Sequence, residues 1–231
     1  TVLWLIREVA QASGDSAAPA EHAARAMLES EPYRYANANA STIPDYLEPR
    51  AARDLIAFLQ ASPRDWKECR DKTAVALMLG AGLRPGEVRT LQLSEVVSHA
   101  ATGPWKLSLE ARNVTVAHET PMARWASRLL RRWLDVRAVL QPPGRFVFMS
   151  TAKGTEWSEP NLIRRCGELL EDAGIDSRRD QGGLFLLRHT FALRQLARGR
   201  SDGEVAGWLG IKDIGRIARY RSVILAPVDV A

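Results

Sequence analysis

Cysteine is scarce in this sequence. The 231 residues hold two, Cys69 and Cys166, far apart and each within a helix-like pattern. Such a pair builds no disulfide framework, and buried free thiols in a reducing cytoplasm are expected. Histidine is also scarce, at four. No Cys/His cluster has metal-ligand spacing, so no metal and no other cofactor is expected. No run of about 18 apolar residues occurs, so no membrane span and no membrane partner is expected. The opening TVLWLIREVAQASG carries Arg7 and Glu8 inside its apolar stretch and is too short for a secretory signal. Lysine is the last shortage. Of 32 basic residues, only Lys67, Lys72, Lys106, Lys153 and Lys212 are lysines, and the other 27 are arginines.

What is present is a 46% hydrophobic chain, enough for one sizeable core or one domain and part of a second. The net charge is +5, unevenly spread. Residues 1–45 hold three arginines (7, 25, 34) against six acids (8, 15, 21, 29, 31, 45), so residues 46–231 carry +8. A GC-rich coding bias accounts for arginine over lysine but not for this split. A planar guanidinium grips phosphate bidentately, and nucleic acid is the partner such a segment suggests.

Two short helical patterns, 1–12 and about 18–30, are joined by SGDS. EPYRYANANASTIPDY then reads as a linker of polar turn formers and proline. Amphipathic helices follow over LEPRAARDLIAFLQASP and DWKECRDKTAVALMLGAG. EVVSH, WKLSLEA and NVTVAH read as three strands of a small antiparallel sheet. In MARWASRLLRRWLDVRAVL, Met122, Trp125, Leu129, Trp133, Val136 and Leu140 share a face, so these tryptophans are assigned to the core. RFVFMS reads as a further short strand, and Ser158 as the cap of EPNLIRRCGELLEDAG. LFLLRHTFALRQLARG and SDGEVAGWLG complete the helices. The fold class is mainly α with a small antiparallel β-sheet.

Three stretches carry chemistry. In GAGLRPGEVRTLQL, Arg84 follows a glycine-rich helix end, and Glu87, three residues on, is placed to brace it. In LFLLRHTFALRQL, Arg188 lies in an apolar run, so it needs an anion or a carboxylate. His189 points elsewhere on that helix and is assigned to the core. In WLGIKDIGRIARYRS, Tyr220 stands between Arg219 and Arg221. Two rigid arginines and a tyrosine suffice for phosphoryl transfer: the arginines neutralise the non-bridging oxygens and the phenol attacks.

These boxes, in this order, resemble the catalytic domain of the tyrosine recombinases, the phage integrase family. GAGLRPGEVRTLQL is similar to the first arginine box. LLRHTFALRQLARGRSDGEVAGWLGIKDIGRIARY is similar to the second box through to the nucleophile, with no gap between Arg188 and Tyr220. The resemblance covers about 44–231 and implies that fold over this range. It implies that 1–43 is a helical remnant of an N-terminal core-binding domain plus linker. It implies DNA recombination or integration in a bacterial or phage setting, with Tyr220, Arg84 and Arg188 catalytic and a 3′-phosphotyrosine intermediate. A homo-tetramer on DNA, with or without a related recombinase, would be the working unit.

Three positions depart from the family pattern. Phe185 stands where the family has His, three residues before the second arginine, and Ile211 where it has His or Trp. The family's lysine belongs in the turn EARNVTV, which offers Arg112 or Asn113. Phe and Ile move no proton, and arginine is a poor general acid. The resemblance therefore leaves two readings open: a recombinase with altered helper residues, or an impaired member that binds DNA as an accessory or needs an intact partner.

Overall fold

In the computed structural model, residues 45–99, 103–112, 116–176 and 183–225 are described. They divide between two compact units, one spanning Pro44–Lys212 and the other including Asp213 onward. The two helical patterns expected within 1–30, the apolar tail beyond 225 and Asn113 lie outside the described residues.

The larger unit is built around one helix. Helix α1 (Pro49–Gln60) leads to α2 (Trp66–Ala81), and every residue of α2 from Glu68 to Ala81 is buried. The Asp65 carboxylate caps α2 by accepting the Glu68 N–H at 2.8 Å. Gly82 ends it in the left-handed conformation (φ 72°). A Cβ on Gly82 would stand 2.5 Å from a ring carbon of Phe191, so this glycine is needed for its space as well as its φ. The sequence predicts an amphipathic α2, but the helix is enclosed on all sides. Its charged first half is accommodated by pairing. Asp71, 1% exposed, accepts from the Arg70 Nε and Nη2 atoms and from the Arg165 Nε and Nη2 atoms, 94 residues away. The Arg70 guanidinium also lies 3.9 Å from the Trp157 ring centroid.

Helix α3 (Pro85–Thr90) and a 3₁₀ turn (Leu93–Glu95) lead into the sheet of β1 (Val96–His99), β2 (Gly103–Leu109) and β3 (His118–Pro121). The order is β1-β2-β3 and both pairings are antiparallel, with an irregularity between Val97 and Ser98. Among the described residues the third strand starts at His118, the last residue of the expected NVTVAH, and runs on to Pro121. Its register, Leu107 opposite Thr120, buries Thr120, whose hydroxyl donates to the Ala81 carbonyl at 2.7 Å. That bond ties the sheet to the end of α2.

Helix α4 (Arg124–Leu140) packs on α2 and β2. Trp133 is fully buried, stacked between Trp66 and Phe148 at 6.5 and 6.1 Å, and its indole N–H donates to the Val147 carbonyl. The expected strand over RFVFMS does not form. The segment makes only single bridges, Phe146 with Gln92 and Met149 with Glu156. Ser158 does precede α5 (Glu159–Asp172), but its side chain makes no capping bond. Helix α6 (Phe185–Ala197) and α7 (Asp202–Trp208) follow. Helix α7 starts with a capping box: Ser201 Oγ accepts the Glu204 N–H and the Glu204 carboxylate accepts the Ser201 N–H. Both cysteines are buried, and burial pushes the Cys166 thiol far above its ordinary value. The second unit contributes a 3₁₀ turn (Ile214–Ile217) and α8 (Ala218–Leu225).

Candidate active site

Arg84 is the residue before α3, and local sequence dictates its role there. Pro85 occupies the first helical position, where no N–H is needed. Arginine has no short oxygen to cap a helix, and Glu87 compensates. Its Oε2 atom accepts the Arg84 backbone N–H at 2.7 Å. The Arg84 guanidinium folds back toward the same carboxylate, with Nε 3.9 Å from Oε1, and stays partly exposed. The Glu87 Oε1 atom is buried and accepts no hydrogen bond.

Arg188 reaches this carboxylate from α6. It is 4% exposed, and its Nη1 atom lies 3.5 Å from Glu87 Oε2. Nη1 also donates to the Gly82 carbonyl at 2.7 Å, and Nη2 donates to the Leu209 carbonyl. The turn after α2 and the end of α7 therefore fix the plane of the guanidinium. Two arginines 104 residues apart in sequence share one carboxylate. An acid so placed offsets part of their charge and helps to align both.

The other sequence candidates are placed as follows. Phe185 is the first residue of α6, three before Arg188, and is 41% exposed. Ile211 is half-buried just after α7, its N–H bonded to the Ala206 carbonyl at 2.9 Å. Arg112 is held by Glu95, 2.7 Å from its Nη2, and by the Thr90 carbonyl, 2.9 Å from its Nη1. Tyr220 lies on α8 in the second unit and is 1% exposed, with the Arg219 Nη2 3.3 Å from its hydroxyl.

Sequence reasoning missed the two carbonyls that hold Arg188. The glycine after α2 signals a helix end, but nothing local says which donor its carbonyl will meet. Among the described residues, no group of three or more His, Cys, Asp or Glu is placed to hold a metal ion, and no helix is long and apolar enough to cross a membrane.

Known proteins resemble this chain in sequence and in fold. The tyrosine recombinase XerC of Histophilus somni (strain 2336) is 25% identical over 187 residues, covering 77% of this chain and 56% of the relative. The XerC of Proteus mirabilis is 27% identical over 139 residues, covering 58% of this chain and 41% of the relative. The chain thus spans about half the length of the curated relatives it matches. Among solved structures, the XerA recombinase superposes with a TM-score of 0.64 at 21% identity, over 78% of this chain and 60% of that one. The catalytic domain of bacteriophage HP1 integrase superposes with a TM-score of 0.53 at 20% identity, over 80% of this chain and 96% of that one. The model of the phage integrase family matches residues 45–224. That span includes both arginine boxes, the shared carboxylate and Tyr220, and on it the chain belongs to the phage integrase family.

Proposed function

We propose that this chain is the catalytic part of a site-specific DNA recombinase or integrase. In this reading 44–231 is the catalytic domain and 1–43 the end of a core-binding domain. The Tyr220 hydroxyl loses its proton and its oxygen attacks a DNA phosphorus. A Tyr–O–P bond forms, the bond to the 5′ oxygen breaks, and that oxygen takes up a proton. The products are a 3′-phosphotyrosine and a free 5′ hydroxyl. Arg84 and Arg188 hold the non-bridging oxygens as their charge rises, the kind of preorganised electrostatic help worth about 10²–10³ in rate per donor. Because Tyr220 is 1% exposed, attack requires a rearrangement that uncovers it.

The observation that carries this reading is the pair of arginines on Glu87. Further support comes from the proteins that the chain resembles. The XerC relatives are tyrosine recombinases. The XerH recombinase has been solved bound to its difH DNA before and after cleavage, and the Tn1549 integrase with transposon DNA. By the same analogy, double-stranded DNA is the substrate; the family resemblance of the sequence adds a tetramer assembled on DNA as the working unit and the bacterial or phage-infected cytoplasm as the setting.

A nicked duplex that releases a short fragment on attack tests the proposal. The wild-type protein should accumulate a protein–DNA adduct that survives denaturing electrophoresis. Tyr220→Phe should abolish it with DNA affinity unchanged, and Arg188→Lys should slow it about 100-fold, since a lysine cannot reproduce the fork. No adduct from wild type on a bound site overturns the enzymatic reading. If Phe185→His with Ile211→His then restores the adduct, the natural protein is a degenerate family member that binds DNA without cutting it.

A further inference from the structure

Five arginines cluster on two neighbouring helices of the larger unit without an acid partner. Arg124, Arg128 and Arg132 stand at four-residue spacing on α4, and Arg194 on α6 is followed at the same spacing by Arg198, which caps that helix. Like charges so placed repel. None of the five makes a side-chain hydrogen bond or an ion pair among the described residues. Several arginines at other helix positions are paired instead. Arg50, Arg64, Arg164 and Arg200 each pair with an acid four residues on.

The unpaired arginines surround two recesses. One, of about 200 Å³, lies where α2, α4 and α6 meet and is lined by Gly80, Trp125, Phe191, Arg124, Arg194 and Arg198, with no acid among its walls. The other, of about 130 Å³, lies across Trp125 and is lined by Arg128 and Arg132. Gly80 lets α4 approach α2 here: a Cβ there would stand 2.6 Å from the Ala126 Cβ and 3.1 Å from the Trp125 indole. Arg194 is half-buried. Burial first, and Arg198 second, push its guanidinium below the ordinary arginine value. It remains protonated, so the recess holds positive charge that an anion would relieve.

We propose that the two recesses form a docking site for an extended acidic segment of a protein partner. The Arg124, Arg128 and Arg132 steps are about 6 Å apart at the helical rise. Alternate side chains of an extended strand recur at about 6.6 Å, so carboxylates on every second residue match them. A duplex is a rigid rod whose phosphates meet projecting arginines, whereas Arg194 is withdrawn beside Phe191 and Trp125. A carboxylate on a flexible chain can enter that recess, and the aromatic rings give the neighbouring side chains an apolar contact. Arginine with aromatics is also the composition enriched at protein interfaces.

The test is fluorescence anisotropy with a labelled dodecapeptide of alternating glutamate and threonine, beside a labelled 30-base-pair duplex. Wild type should bind the peptide. Arg194→Glu with Arg198→Glu should weaken the peptide at least tenfold and the duplex less than twofold. Gln195→Glu places a carboxylate at the same recess while leaving every arginine in place, and should also weaken the peptide. Arg50→Glu, at an exposed site away from both recesses, should do nothing. No peptide binding at millimolar concentration overturns the proposal, as does an equal effect of Arg50→Glu. Loss of the duplex rather than the peptide overturns it too and assigns the surface to DNA. None of these readouts requires the protein to cut DNA.

Discussion

Arg188 Nη1 and Glu87 Oε2 lie 3.5 Å apart across 101 residues of sequence, and the same oxygen accepts the Arg84 backbone N–H. One carboxylate thus sets the start of α3 and the position of a guanidinium on α6. It makes Glu87 a positioning residue for both arginines.

Glu87→Gln keeps an acceptor for the Arg84 N–H and removes the charge between the guanidinium groups. Adduct formation on a nicked duplex should fall about 10- to 100-fold through misplacement of Arg84 and Arg188, with DNA affinity little changed. Glu87→Ala also removes the carboxylate beside the buried Arg188 guanidinium. It should cost about 2–4 kcal/mol in denaturant unfolding, somewhat less than breaking an isolated buried pair. An unchanged adduct rate in Glu87→Gln would remove Glu87 from the site.

Asp71 joins Arg70 on its own helix to Arg165 on α5. Asp71→Asn keeps the shape and leaves the buried Arg70 without its charge partner, while Arg165 keeps only Glu168. Unfolding in urea should show a loss of about 3–5 kcal/mol. A change below about 1 kcal/mol would mean that Trp157 and the Met149 and Ser150 carbonyls hold Arg70 unaided.

Glu68 gives a pH dependence. Burial pushes its carboxyl up, but the Arg64 backbone N–H, the Arg64 guanidinium and the Lys72 ammonium outweigh burial and hold it at about 2. A carboxyl whose folded pKa is depressed contributes stability above its unfolded value of about 4.3 and loses it as pH falls toward the folded value. Between about pH 5 and pH 2, wild type should therefore lose about 1–2 kcal/mol that Glu68→Gln does not, allowing for solvent screening. Parallel stability curves for the two proteins over that range would refute the assignment.

Phe185 is exposed at the start of α6 and Ile211 is half-buried after α7. Each single change to His should alter stability by about 1 kcal/mol or less, because neither site is enclosed core. Together they should raise the adduct rate, by up to the 10²–10⁴ typical of general acid–base help. No rate gain in a stably folded double variant would show that these positions do not face the phosphate.

Much of the fold could be read locally. Gly82, Pro85 and Glu87 encode a helix end, a helix start and a brace within six residues. Ser201 and Glu204 encode the start of α7, and the spacing of Leu129 and Trp133 encodes the buried face of α4. Other features were not legible. HETP has little strand character, yet it forms β3 because β2 supplies the partners and Ala81 an acceptor for Thr120. RFVFMS has strand character and forms none, because its neighbours at Gln92 and Glu156 offer one bridge each. The charges of α2 suggest a solvated face, but Arg165 arrives from α5 and the helix is enclosed.

The sequence alone determined which residues are candidates for the proposed chemistry. It also determined the helix ends that carry them, since capping, φ preference and side-chain spacing act over four or five residues. Tertiary structure decided which acid meets which arginine. Gly82, Glu87 and Leu209 surround Arg188 because α2, α3, α6 and α7 pack together. Partners 21 to 106 residues away are chosen by that packing, where burying an unpaired guanidinium costs more than any local preference can offset.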